Sequence, residues 1–268
     1  MTIPIYCGWC TTIFAQENSF EFNPELNVGI EMFRWQEFDS SGIRLLTENG
    51  PRLFFSVAIS NTDKSGSGFI YEAAVKGYSG EVDYDGQDSN GVFTSSDTIY
   101  AGYVFELNGG YRVQQKIDVD ILAGIGFNAW EREIKNNRNA QGNMVSGITE
   151  EYTIQYSTLA IGLPQRFANA GGYLKIGVKK PYSTSEDVDN FNVTLSPGRK
   201  YSGFISYKLV FDADENSKNL ISSVTFYYDS LRFSRSSEKV TVVNSVPLLV
   251  RQPKSNLEVI GFAIGRSF

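Results

Sequence analysis

Ile117-Asp118-Val119-Asp120-Ile121-Leu122-Ala123-Gly124-Ile125-Gly126-Phe127-Asn128 sets two unlike faces against each other. Ile117, Val119, Ile121, Ala123, Ile125 and Phe127 fall on one side of an extended segment, and Asp118, Asp120, Gly124, Gly126 and Asn128 on the other. Successive side chains of a strand point to opposite faces, so this segment reads as a strand with one apolar and one polar surface. A helix needs apolar residues three and four apart, and that spacing is hard to find anywhere in the chain. Working toward the N-terminus, Leu26, Val28, Ile30 and Met32 oppose Asn27, Gly29, Glu31 and Phe33. Leu53, Phe55, Val57 and Ile59 oppose Phe54, Ser56, Ala58 and Ser60, and Phe69, Tyr71, Ala73 and Val75 oppose Ile70, Glu72, Ala74 and Lys76. Tyr103, Phe105, Leu107, Tyr111 and Val113 oppose Gly102, Glu106, Asn108, Gly110 and Arg112. Toward the C-terminus, alternating runs follow at 159–163, 174–178, 205–211, 224–228 and 260–268, which brings the total to ten.

The linkers between these runs alternate in length. The long ones cover 39–50, 83–97, 134–151, 181–200 and 234–254, and the short ones 61–67, 114–116, 164–171 and 213–218. Long loops at one end and short turns at the other are what a transmembrane barrel with both termini on one side presents. Composition agrees with this reading. Fifteen tyrosines, 19 phenylalanines and 25 glycines favour strands over helices. A net charge of −6 supplies no basic excess for nucleic acid. Mean hydropathy is slightly negative, and no apolar run reaches the roughly 18 residues of a transmembrane helix. A barrel meets neither objection, because only alternate residues of its strands must be apolar. The expected fold is therefore all-β: one transmembrane antiparallel up-and-down barrel of about ten strands, long loops on one side and short turns on the other.

Residues 1–15 carry no charge and end in Ala15 before Gln16-Glu17-Asn18, the outline of a secretory signal, which leaves 16–268 as the barrel domain. Cys7 and Cys10 have the C-x-x-C spacing of a redox pair but lie inside this segment, with no βαβ unit around them. A mature chain would then be free of cysteine, which suits passage through an oxidising compartment.

In hydrocarbon every backbone polar group must be paired within the protein, so a spanning sheet must close on itself. The apolar faces are then expected to meet lipid and the polar faces to line the lumen. That places Glu31, Glu72, Lys76, Glu106, Arg112, Asp118, Asp120, Arg132, Lys175, Lys179, Lys208 and Asp229 inside. Ten strands leave little room, so these charges are expected to pair across the lumen and plug it, the alternative being a thin wet channel. Trp35, Phe38, Tyr84, Tyr100, Trp130 and Tyr182 are expected at the outer interface, and Tyr111, Tyr173 and Phe211 at the inner one. A soluble periplasmic barrel, with the apolar faces turned inward, is the competing architecture.

The chain has no histidine. Ser-His-Asp and Cys-His catalysis are therefore closed to it, and a pair of carboxylates at the rim is the hydrolytic chemistry that remains. Metal binding is limited to oxygen ligands. Asp83, Asp85 and Asp88 cluster in one expected loop, but Gly86 and Gln87 break the EF-hand spacing, so no metal site is assigned. Glu186, Asp187 and Asp189 form a second acidic cluster, and Asn192-Val193-Thr194 matches a glycosylation sequon.

Ile260, Phe262, Ile264 and the terminal Phe268 form an alternating strand that ends in an aromatic residue. It resembles the C-terminal strand of Gram-negative outer-membrane β-barrel proteins, although Arg266 stands where that family prefers an aromatic. The ten-strand layout resembles the omptin type of barrel in size but lacks the histidine that such enzymes need. Gly80-Glu81-Val82-Asp83-Tyr84-Asp85-Gly86 is similar to a strand-to-loop segment of outer-membrane barrels of uncharacterised function. The resemblance implies residence in the bacterial outer membrane, contact with its lipid and lipopolysaccharide, and delivery to the barrel-assembly machinery through the last strand. The expected function is non-enzymatic: a monomer without cofactor, binding through its surface loops or supporting the envelope, with a mostly plugged lumen. A narrow channel for small solutes or ions is the first alternative, and a rim carboxylate hydrolase the second.

Overall fold

A computed structural model of the chain describes residues 24–62, 66–88, 91–168, 170–211, 221–243 and 245–268. The expected signal segment 1–15, with Cys7 and Cys10, lies outside the described residues. Ten long strands form the wall: β1 (Pro24–Phe38), β2 (Arg44–Ser60), β3 (Gly68–Gln87), β4 (Phe93–Val113), β5 (Val119–Ile134), β6 (Ile148–Arg166), β7 (Ala170–Val188), β8 (Ser202–Phe211), β9 (Ser223–Ser234) and β10 (Lys254–Ser267). Each pairs antiparallel with its neighbours in sequence, and β10 returns to β1 with Ile260 opposite Met32 and Phe262 opposite Ile30. The sheet has no open edge around the wall, as a bilayer requires. This is the ten-strand up-and-down transmembrane barrel that the alternation predicts.

The end carrying Pro24 and Ser267 is called the inner end below. Around the inner half the exterior is an apolar belt that includes Val28, Ile30, Leu53, Phe105, Ile125, Ile161, Ile176 and Phe262, all exposed. A tilted strand crosses hydrocarbon in about 9 to 11 residues, yet β3 and β4 have 20 and 21. The surplus of roughly 10 residues raises the wall by about 25 Å beyond the belt at the usual strand tilt.

Above the belt the alternation continues with its sign reversed. In β1, Leu26 to Met32 put apolar side chains outward, but from Phe33 onward the apolar residues point inward and Arg34 and Gln36 point out. The same inversion turns Val82 and Tyr84 of β3 inward and leaves Glu81, Asp83 and Asp85 outside. A wall that stands in water must bury its apolar side, whereas one in lipid must expose it.

This inversion corrects two expectations. The stretches 39–50, 83–97, 134–151 and 181–200 are not wholly loops, because part of each is strand projecting past the belt. The first two close in tight turns: Asp39 accepts from Ser41 N and Ile43 N at 2.8 Å, and Asp88 accepts from Val92 N at 2.9 Å. Gly42 and Gly91, at φ +83° and +77°, supply the left-handed backbone those turns need. Longer connections remain at 135–147, 189–201 and 235–253, two of them carrying small hairpins (Asn137–Arg138 with Met144–Val145, and Lys239–Val243 with Val246–Val250). The aromatic assignment is corrected too. Trp35, Tyr84, Tyr100, Trp130 and Tyr173 are buried inside the barrel, whereas Tyr182, Tyr111 and Phe211 are exposed.

Candidate functional site

Side chains that alternate inward along every strand line the lumen and fill its outer part. The outer storey is built round Arg132 of β5, whose side chain is 2 % exposed. Its Nη2 and Nε donate to Glu48 of β2 at 2.8 and 3.1 Å, and Nη1 donates to Glu150 of β6 at 2.5 Å. Glu37 of β1 lies 3.4 Å from Nη1 and accepts from Trp35 Nε1 at 2.9 Å and Gln252 Nε2 at 3.2 Å. Thr98 Oγ1 at 2.9 Å and the Tyr100 hydroxyl also donate to Glu48, and the Tyr152 hydroxyl donates to Glu150 at 3.0 Å. Trp130 stacks on Tyr152 with ring centroids 4.8 Å apart, and Trp35 meets Tyr152 edge-on at 5.5 Å.

One further carboxyl, Glu186 of β7, is buried in this storey. It lies past the last belt residues of its strand, outside the membrane span. Burial pushes its carboxyl up to about 9, and nearby Glu150 and Glu37 add to the rise while Arg132 opposes it. Burial likewise raises Glu37, against the pull of Arg132. Several carboxylates share one guanidinium here, so the storey is over-supplied with acid.

The middle storey is a second buried cation. Arg52 is sandwiched between the rings of Phe33 and Tyr78, 4.1 Å from each centroid, and donates to Glu31 at 2.5 Å. Lys76 and the Tyr227 hydroxyl complete Glu31 at 2.9 and 2.6 Å.

Below it the lumen opens into a cavity of about 280 Å³, whose lining includes Phe54, Lys76, Lys175, Lys179, Phe204 and Tyr227. Its charges are paired across the lumen: Lys179 with Glu106 at 2.7 Å and Asp229 at 2.8 Å, Lys175 with Glu72 at 2.5 Å, and Lys208 with Glu25. Near the inner mouth Arg112 grips Asp120 in a two-pronged pair at 2.6 and 2.7 Å, and Tyr173 donates to Asp120 at 3.0 Å.

Eleven of the twelve lumen charges named from the sequence thus enter ion pairs within the barrel. The twelfth, Asp118, sits half-buried at the inner end, just before β5. Sequence reasoning missed Glu25, Glu37, Glu48, Arg52 and Glu150. Glu48 and Glu150 fell in stretches assigned to loops, although Glu48 alternates correctly with Leu46 and Gly50. Asp83 and Asp85 lie exposed on the outer face of β3, while Asp88 faces Asn139, whose Nδ2 donates to it at 2.8 Å. Among the described residues no three His, Cys, Asp or Glu side chains are placed to hold a metal ion. In the last strand Ile260, Phe262 and Phe268 are exposed on the exterior and Ile264 is half-buried.

No family profile and no curated protein sequence matches the chain. Among solved structures it is similar to the outer membrane protease OmpT from Escherichia coli, with a TM-score of 0.49 and 9 % identity over 94 % of this chain and 99 % of that one. An outer membrane channel from Pseudomonas putida F1 gives 0.38 and 4 % over 92 % and 95 %. The β-domain of the Bordetella autotransporter BrkA gives 0.35 and 12 % over 91 % and 99 %.

Proposed function

We propose that the chain is an integral barrel of the bacterial outer membrane that neither conducts nor catalyses, and that it acts through the surface it raises above the lipid. The single observation behind this reading is the outer storey, where Arg132 and its carboxylates, beside stacked Trp130 and Tyr152, occupy the lumen. A passage for solute would need those pairs parted, and removing one partner of a buried pair typically costs about 3 to 5 kcal/mol. The missing histidine supports the non-enzymatic part. In this reading the exposed 260–268 strand addresses the chain to the barrel-assembly machinery, and the belt and outer surface meet lipid and lipopolysaccharide.

The test is electrical. Protein that migrates differently on gels before and after boiling, the mark of a folded barrel, is inserted into planar bilayers. No stable single-channel steps are expected from the unmodified chain. A second reading, a narrow channel, draws on the charged cavity at the inner end. Reproducible unitary conductance from the unmodified chain would favour it and overturn the plug.

A further inference from the structure

The exterior of the wall above the belt is divided by charge. On β3 to β6 the outward positions carry Glu81, Asp83, Asp97, Glu131, Glu133 and Glu151. Like charges face each other directly there, Asp83 opposite Asp97 and Glu131 opposite Glu151, an arrangement that destabilises an isolated sheet. Lys135 relieves part of it by bridging Glu81 and Asp97 at 2.7 and 3.9 Å. The other flank, from β7 through β10 to β1 and β2, carries Lys180, Lys200, Arg232, Lys254, Arg34 and Arg44, with Glu258 paired to Arg34; Asp187 at the top of β7, opposite Glu151, is an acidic residue at the border of the two flanks. The acidic flank is centred between β4 and β5 and the basic flank between β9 and β10. Five of ten strands separate the two centres, so they stand on opposite sides of the barrel.

We infer that these flanks are the two halves of a contact between copies of this chain, side by side in one membrane. The inference rests on the bilayer reading of the belt and goes beyond it. Lipid fixes every copy at the same height and in the same orientation. Both charged flanks begin within a few outward positions of the belt: Arg34 follows Met32, Lys180 follows Val178, and Glu131 lies two outward positions above Phe127. The acidic flank of one copy therefore meets the basic flank of the next at matching height. Acid against base relieves the like-charge rows, whereas acid against acid is repelled. Because the patches differ, the contact is heterologous, and because they are opposed it propagates as a row instead of closing into a ring. Such complementarity sets orientation and partner choice more than affinity, so the rows are salt-sensitive. The monomer expected from the sequence becomes the unit of a reversible lateral assembly.

The test uses full chains in phosphatidylcholine vesicles, half of them labelled with heavy nitrogen, treated with a zero-length carbodiimide. Mixed-isotope cross-links are expected to join Lys180, Lys200 or Lys254 of one copy to the acidic flank of another, and to fall severalfold at high salt, where screening lengths shrink to a few Å. The double variants Glu131→Lys/Glu133→Lys and Arg232→Glu/Lys254→Glu are each expected to lose most cross-links alone. Mixed together, they are expected to regain them between unlike variants only, because the two reversed flanks again present base to acid. Cross-links that join like flanks or scatter over the surface would overturn the inference. So would their absence at high protein density, or a basic flank whose lysines are shielded from acetylation by added phosphatidylglycerol and not by neighbouring copies. Heat-modifiable migration of the same samples reports the barrel independently, so failure of the rows and failure of the membrane reading are separable.

Discussion

Replacing Arg132 by methionine keeps most of the side-chain volume and removes the guanidinium that Glu48 and Glu150 share. Both carboxylates are left in a buried, aromatic-walled storey, and Glu37 loses the same partner at 3.4 Å. Stranding one buried charge costs about 3 to 5 kcal/mol. A second route bounds that figure. An orphaned carboxylate escapes by taking up a proton, and for a carboxyl of ordinary pKa near 4.3 this costs about 3.7 kcal/mol at pH 7 but only about 1 kcal/mol at pH 5. Two carboxylates are stranded, so the variant should lose between about 4 and about 7 kcal/mol at neutral pH, with most of that deficit recovered on acidification. Guanidinium unfolding of the detergent-folded barrel, followed by tryptophan fluorescence, reads this directly because Trp35 and Trp130 both lie in the affected storey. Adding Glu48→Gln and Glu150→Gln to the variant should restore part of the loss at pH 7. An Arg132→Met midpoint equal to that of the unmodified protein at neutral pH, or a deficit unchanged at pH 5, would refute the account of the plug.

Two further outcomes test other parts of the structure. Ile125 is 51 % exposed on the belt, and Ile125→Arg should destabilise the bilayer-inserted barrel by about 2 to 4 kcal/mol, as for lipid-facing positions near the midplane; a neutral effect in vesicle refolding would favour a water-solvated exterior. Glu186, raised by burial and by its acidic neighbours to about 9, favours the protonated form when folded. Its contribution is complete below about pH 4.5 and is lost as pH climbs through its folded value, so unfolding midpoints should fall from about pH 5 to about pH 9 in the unmodified chain and stay flatter in Glu186→Gln.

The ten strands were legible because each carries a run of aliphatic residues at alternate positions over the belt, and most of the lumen charges were legible as the other face of those runs. The outer half was not. There the apolar set moves to the opposite face, as between Met32 and Phe33, so a search for one continuous phase ends at the belt and reads the rest as loop. Trp35, Tyr84, Tyr100 and Trp130 were misplaced for the same reason, since an aromatic near a strand end sits at an interface only if it faces lipid. Glu48 gave a correct local alternation, but pairing it with Arg132 requires knowing that β2 faces β5 across the lumen, and pairing Glu150 with Arg132 requires the register that sets the two opposite each other on adjacent β5 and β6; no local pattern carries either.

The inversion within single strands also bears on assembly. A hairpin paired one residue out of step turns every side chain to the wrong side. In this chain such an error would put aliphatic groups into a charged interior below while lifting tryptophan and tyrosine into water above. The wrong register is thus punished in two solvents at once, so mispaired intermediates should be short-lived, and the sequence proofreads its own closure.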